Sequence, residues 1–293
     1  MLNYQITFPE IQALIRSGES AFDRSIADVA AALARSEIKV LLLSGPSGSG
    51  KTTCAKLICN KLNALGRPAS VLSLDDFFYD IKDRKEGIES LESEEHLDAD
   101  MLYYCVHQLF SGEPTHVPSF DFANQRRVFA GKQKLLRENE LLVIEGIHAL
   151  TDKVTEVFSD IPYCTAFVYL DGEYLFPDLT LSSNRARLLR RISRDAISRG
   201  ASPEYTLEIW DDVTEYENAR ILPEGEKADF KISTHLEHEP YILRKPLLKA
   251  LELIDESGKY ADFKSEFTEF AKKLTAVSAT VIPESSVLHE FIG

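Results

Sequence analysis

The chain has 293 residues, 44% of them apolar and 27% charged, and carries a net charge of −14. This is the make-up of a globular protein with one large domain or two modest ones, not of a disordered or fibrous chain. The acidic balance argues against wrapping nucleic acid, no apolar run approaches the roughly 18 residues of a membrane span, and the Met1 end has no basic-then-apolar leader. Cys54, Cys59, Cys105 and Cys164 form no Cys-x-x-Cys pair, so reduced thiols in a cytoplasmic protein are expected.

In chain order, residues 1–36 predict two short helices, Pro9–Arg16 and Ala21–Ala34, covering an edge of the main domain. Five apolar segments then read as strands: Lys39–Ser44, Ser70–Leu74, Leu141–Glu145, Ala166–Leu170 and Phe230–Ser233. Helical patterns at Lys51–Leu65, His96–Phe110 and Arg187–Ser198 separate them. Strands that are continuously apolar are covered on both faces, which predicts a three-layer α/β/α fold on a five-stranded parallel sheet. Lys245–Asp255 and Asp262–Ala276 read as helices. A tail with Pro and Ser, 277–293, carries no readable role. The expected division is a helical extension at 1–36, a main domain at 37–255 and a helix with tail at 256–293.

The strongest chemical signal is Gly45-Pro46-Ser47-Gly48-Ser49-Gly50-Lys51-Thr52, followed by Thr53. It has the Gly-x4-Gly-Lys-Ser/Thr spacing of a phosphate-binding P-loop, at a strand–helix junction. Glycines let the backbone curl and aim its N–H groups at phosphate oxygens, and the helix start adds positive potential. Lys51 is expected on the terminal phosphates and the Thr52 hydroxyl on Mg²⁺.

A P-loop alone does not separate a kinase from other NTPases, so the next strand ends matter. One strand runs into Asp75-Asp76 and another into Glu145-Gly146. In an open parallel sheet such ends converge on the ligand crevice. Asp75 is the preferred base for an incoming hydroxyl and sits close enough to help hold metal. Glu145 reads as a metal-side carboxylate, and Asp76 as a solvated neighbour.

Six arginines, Arg185, Arg187, Arg190, Arg191, Arg194 and Arg199, fall within fifteen residues. So dense a positive patch in an acidic chain suits a lid that closes over a migrating phosphoryl group, spanning 184–226. The long insertion 77–140 predicts helices and a small hairpin over the acceptor. Within it, Phe78, Tyr79, Phe120 and Phe122 are candidates to sandwich a planar base, and Asp83 and Glu92 to hold sugar hydroxyls; core and surface roles fit these residues as well.

Together these motifs resemble the uridine kinase and phosphoribulokinase group of P-loop kinases. The resemblance rests on Gly45–Thr53, Ser73–Phe78, Pro118–Phe122 with Arg127, Val143–Leu150, and Arg187–Asp195 ending at Arg199-Gly200, covering roughly residues 38–235. Trp210, Val213, Glu217, Ile221 and Pro223 are similar to a longer bacterial-type subgroup, whose extra N-terminal domains are not expected in the 36 residues here. The resemblance implies transfer of the terminal phosphate of ATP or GTP to the 5′-hydroxyl of uridine or cytidine. It also implies Asp75 as base, Glu145 supporting Mg²⁺, a mobile lid bearing Arg190, Arg191 and Arg194, and a homodimer or homotetramer.

The departures concern the acceptor. Phe78 and Phe120 stand where relatives carry Tyr, Gln125 where a base-contacting His is expected, and Glu92 where a ribose-binding Asp is expected. Losing phenols and an imidazole keeps stacking area and alters the hydrogen-bond pattern. A kinase for a sugar, a sugar phosphate or a pantothenate-like alcohol is the alternative, with a regulatory NTPase behind it.

Overall fold

Five of the chain's strands assemble into one parallel sheet because their side chains are apolar on both faces. The computed structural model describes residues 1–83, 92–121, 124, 126–129, 131 and 133–292. Its strands are β1 (Val40–Ser44), β2 (Ala69–Ser73), β3 (Ser119–Asp121), β4 (Arg126–Val128), β5 (Leu141–Glu145), β6 (Tyr163–Tyr169), β7 (Glu173–Leu175), β8 (Thr180–Ser182) and β9 (Phe230–Ser233). The main sheet runs β2-β5-β1-β6-β9, every neighbour parallel. Register pairs Leu43 and Ser73 with Glu145, so the carboxyl ends of β1, β2 and β5 finish in one row.

The helices are α1 (Phe8–Ala34), α2 (Lys51–Ala64), α3 (Ala99–Phe110), α4 (Asp152–Thr155), α5 (Ser183–Ser198), α6 (Pro203–Tyr216), α7 (Leu222–Glu226), α8 (Glu239–Leu251), α9 (Ala261–Lys273) and α10 (His289–Ile292). A π-helical segment, Glu217–Ile221, joins α6 to α7. Alternate strand residues feed two cores. Leu41, Leu43, Val143, Val168 and Ile232 pack with α1, α2, α8 and α9 on one face, while Val40, Leu42, Leu142, Ile144 and Phe167 pack with α3 on the other. This is the three-layer α/β/α arrangement with its five-stranded parallel sheet.

Several boundaries move for local reasons. The two helices expected before residue 36 are one helix of 27 residues. Gly18 does not break it: a Cβ there would stand 3.2 Å from Leu236 Cδ2, so the glycine serves close packing. The chain enters α3 three residues later than expected, because Glu94–His96 forms a 3₁₀ turn and Asp98 caps the helix by accepting from the Met101 N–H at 3.0 Å. Leu74 leaves the sheet for a 3₁₀ turn, Leu74–Phe77, which turns Asp75 off the strand. The small hairpin expected in the insertion is β3–β4, and Asp76 supports it by accepting from the Phe120 N–H at 2.9 Å instead of lying solvated.

Candidate active site

The Gly45–Thr52 loop leaves β1 at the row of strand ends and starts α2. Gly48 and Gly50 have φ of 72° and 96°, a region that L side chains avoid. Space is equally restrictive: a Cβ on Gly48 would fall 2.8 Å from the Arg187 carbonyl oxygen. Lys51 donates to the Pro46 carbonyl at 3.1 Å. Burial pulls its pKa down, against an upward pull from Glu145 and Asp75.

Glu145 ends β5 with 4% of its surface exposed. It accepts from Thr52 Oγ1 at 3.2 Å and from Ser73 Oγ at 2.9 Å. Burial, reinforced by the charge of Asp75, pushes its carboxyl up to about 7. Two carboxylates crowded beside one lysine fit a hard divalent cation, which accepts hydroxyl and carboxylate oxygens. Among the described residues no three His, Cys, Asp or Glu side chains form a metal cage by themselves. A cation held by Thr52, Asp75 and Glu145 would complete its shell with phosphate oxygens and water, as Mg²⁺ commonly does.

Of the six arginines of α5 and its C-cap, Arg185 pairs with Glu266 at 2.9 Å and the other five divide into two sets. Arg187 and Arg190 hold the loop itself: Arg187 Nη1 donates to the Ser47 carbonyl at 2.8 Å, and Arg190 Nη1 to the Gly48 carbonyl at 3.2 Å. Arg190 has no exposed surface and pairs with Glu239 at 2.5 Å. Neither lines the cavity over the loop. Arg191, Arg194 and Arg199 do, together with Ser47, Gly48, Gly50, Lys51, Thr52, Asp75, Glu92 and Glu145. Arg191 donates to Ser47 Oγ and to Glu92, both at 2.9 Å. Burial opposes the charge on Glu92, yet Arg191 holds its carboxyl below the usual range. Asp195 gathers Arg191, Arg194 and Arg199 at 3.4, 2.7 and 3.7 Å.

On the acceptor side, the Phe78 and Phe120 rings meet edge to face with centroids 6.1 Å apart. Arg127 is committed to structure: it donates to the Phe77 and Phe78 carbonyls and pairs with Asp98 at 2.9 Å. Asp83 is exposed on a 3₁₀ turn and does not line the cavity. Gln125 and Phe122 lie outside the described residues.

Three carboxylates that no motif assigned a role complete the loop's surroundings. Glu217, on the π segment and without exposed surface, accepts from the Ser47 N–H at 2.5 Å and pairs with Arg187 at 2.8 Å. Glu239 holds Arg190, and Glu290 accepts from the Thr53 hydroxyl at 2.9 Å. Glu217 belongs to a segment noted in the sequence, which was its available signal. Glu290 had none.

A family model described as Phosphoribulokinase / Uridine kinase family matches residues 40–238. The uridine kinase of Saccharomyces cerevisiae is 29% identical over 178 residues, 59% of this chain and 32% of that protein. The uridine kinase of Halobacterium salinarum is 28% identical over 165 residues, 55% of this chain and 64% of that protein. The chain thus aligns with about a third of the first relative's length and less than two thirds of the second's. A solved D-glycerate 3-kinase from Cryptococcus neoformans has a TM-score of 0.45 at 16% identity, covering 69% of this chain and 87% of that one.

Proposed function

The chain belongs to the phosphoribulokinase and uridine kinase family, and on that premise we propose that it transfers the γ-phosphate of ATP or GTP to the 5′-hydroxyl of a pyrimidine nucleoside, uridine or cytidine. One observation carries the reading: Asp75 lines the same cavity as Lys51, Thr52, Glu145 and Arg194. A carboxylate in that cavity is available to an alcohol that enters beside the phosphates. Asp75 takes the proton of the acceptor hydroxyl as the O–P bond forms. Lys51 and the guanidinium groups of Arg191, Arg194 and Arg199 balance the charge that spreads over the phosphoryl oxygens. Thr52, Asp75 and Glu145 would hold Mg²⁺, which would supply positive charge against the phosphates. Phe78 and Phe120 offer stacking area to a planar base, with Glu92 toward the sugar.

Phenyl rings at Phe78 and Phe120 supply no hydrogen bond of their own, and this favours a second reading, a kinase for a sugar, a sugar phosphate or a pantothenate-like alcohol. The four cysteines are free thiols, three of them buried, which suits a reducing, cytoplasmic setting. No described helix is long and apolar enough to cross a membrane. A homodimer or homotetramer is part of the proposal, to be checked by light scattering.

The deciding measurement is ADP formation from ATP and Mg²⁺ over nucleosides, sugars and sugar phosphates, with a control lacking acceptor. Uridine- or cytidine-dependent turnover is expected; equal turnover without any alcohol overturns the kinase reading. In the same assay Asp75→Asn is expected to lose roughly 100-fold in phosphoryl transfer, the order for a positioned base. Wild-type turnover by that variant removes Asp75 from the role.

A further inference from the structure

The cavity over the phosphate-binding loop has about 60 Å³ of room, whereas small-molecule sites usually measure on the order of 300–1,000 Å³. That space takes a few waters and not three phosphoryl groups with a metal. Something lining it must move before a nucleotide can seat. The α5 side is poorly placed to do so, because Arg187 and Arg190 are fastened to the loop carbonyls by buried bonds.

The cavity is also lined by Glu290, which belongs to the segment Pro283–Ile292. Its base is anchored, since Ser286 Oγ donates to the buried Glu19 at 2.6 Å. Beyond that anchor, Val287 lies so close that a Cβ on Gly50 would come within 2.3 Å of its Cγ2. Phe291 sits under the Arg190 guanidinium at 5.0 Å. Glu290 accepts from the Thr53 hydroxyl at 2.9 Å and stands 3.6 Å from Arg194. A carboxylate held by the helix that starts in the loop and by a cavity-lining arginine has the charge and the partners of a phosphate oxygen. The charge count agrees: four acids line the cavity, Glu290 among them, against four cations. Positive charge there is largely matched, so an incoming triphosphate finds little net attraction until an acid withdraws or a metal joins it.

We propose that the Glu290 side chain is an intramolecular gate on the nucleotide site, occupying phosphate-binding groups until a triphosphate displaces it. The inference rests on the reading that the loop binds a nucleotide, and it is independent of which alcohol is phosphorylated. Displacement gives up the contacts of Glu290 with Thr53 and Arg194 while Val287 and Phe291 stay in the core, so the gate lowers nucleotide affinity below what the loop alone would give.

The test uses the full chain without acceptor, and the β,γ-imido analogues of ATP and GTP with Mg²⁺ as probes. Calorimetry is expected to show Glu290→Gln binding the preferred analogue about tenfold more tightly than wild type, the order for removing one like charge at a few ångströms under partial screening. Hydrogen exchange of the wild-type peptide spanning residues 284–292 is expected to rise at saturating analogue as the Glu290 contacts are lost, a readout that needs no variant to fold. Equal affinities, or exchange that does not rise, overturn the gate, while binding itself leaves the nucleotide reading intact. Absence of binding by both proteins overturns gate and nucleotide reading together. Failure of every alcohol in the turnover assay bears only on the acceptor.

Discussion

Both ring nitrogens of His148 are buried without a hydrogen-bond partner among the described residues, and the residue has no exposed surface. The Phe78 and Tyr216 rings stand edge-on to it, with centroids 6.2 and 5.9 Å away. Burial drives its pKa down to about 4, although Glu92 pulls the other way. The folded pKa therefore lies below the unfolded value of about 6.5, and as pH falls the unfolded chain takes up the proton first. Stability is complete in this respect above pH of about 6.5 and is lost progressively toward pH 4, by roughly 3 kcal/mol over the full window. His148→Leu keeps the volume, removes two unpaired polar atoms and abolishes the titration. Urea unfolding is expected to show the variant at least as stable as wild type at pH 7, with a smaller loss between pH 7 and pH 5. A loss between those values as large as the wild-type one would show that the imidazole is not titrating in a dry site.

At the level of elements, α5 and the π segment act as a pair that grips the loop from outside. The extra residue in a π turn re-aims a side chain, and here the side chain at the start of the segment is Glu217, which caps the Ser47 N–H and neutralises Arg187. Glu217→Ala strands a buried guanidinium and a backbone donor together, a loss on the order of 3–5 kcal/mol. Glu217→Gln keeps an acceptor for Ser47 and is expected to lose less. Denaturant midpoints decide the point, and a loss from the alanine variant of under about 1 kcal/mol would remove Glu217 from the grip. The segment around Glu217 was noted in the sequence, but its partners were not legible there. The P-loop and the five strands were, because fixed glycines and continuous apolar runs are local signals. The pairings of Glu217 with Ser47, Glu239 with Arg190 and Glu290 with Thr53 join residues 170, 49 and 237 positions apart, and a lone acid in a chain of net charge −14 carries no local mark. Arg190 illustrates the same blindness. The resemblance placed it in the lid with Arg191 and Arg194, while the fold turns it toward Glu239. Gly18 is a milder case, since a glycine that permits helix packing and one that ends a helix look alike in sequence.

Across the whole molecule, the stretch expected as an N-terminal extension and the helix and tail after residue 255 share one apolar cluster with the sheet. Ile11, Phe22 and Ile26 of α1 join Phe267 and Phe270 of α9, and Ile282, Val287, Leu288 and Phe291, against the strand residues. The last four are at most 6% exposed. Burying side chains of this size is worth about 1.5–3 kcal/mol each, so the four together supply roughly 6–12 kcal/mol. Domains are commonly stable by only about 5–15 kcal/mol. Removal of residues 277–293 is therefore expected to yield a chain that is insoluble or lacks a cooperative unfolding transition, as judged by soluble yield and circular dichroism. A soluble truncation melting close to wild type would show the segment to be an appended arm that the core does not need. The same arithmetic explains why the gate is probed by changing the charge of Glu290 and not by cutting the segment away. Val287 and Phe291 belong to the core while Glu290 alone of this segment lines the phosphate cavity, so only the carboxylate can be altered without also altering the packing.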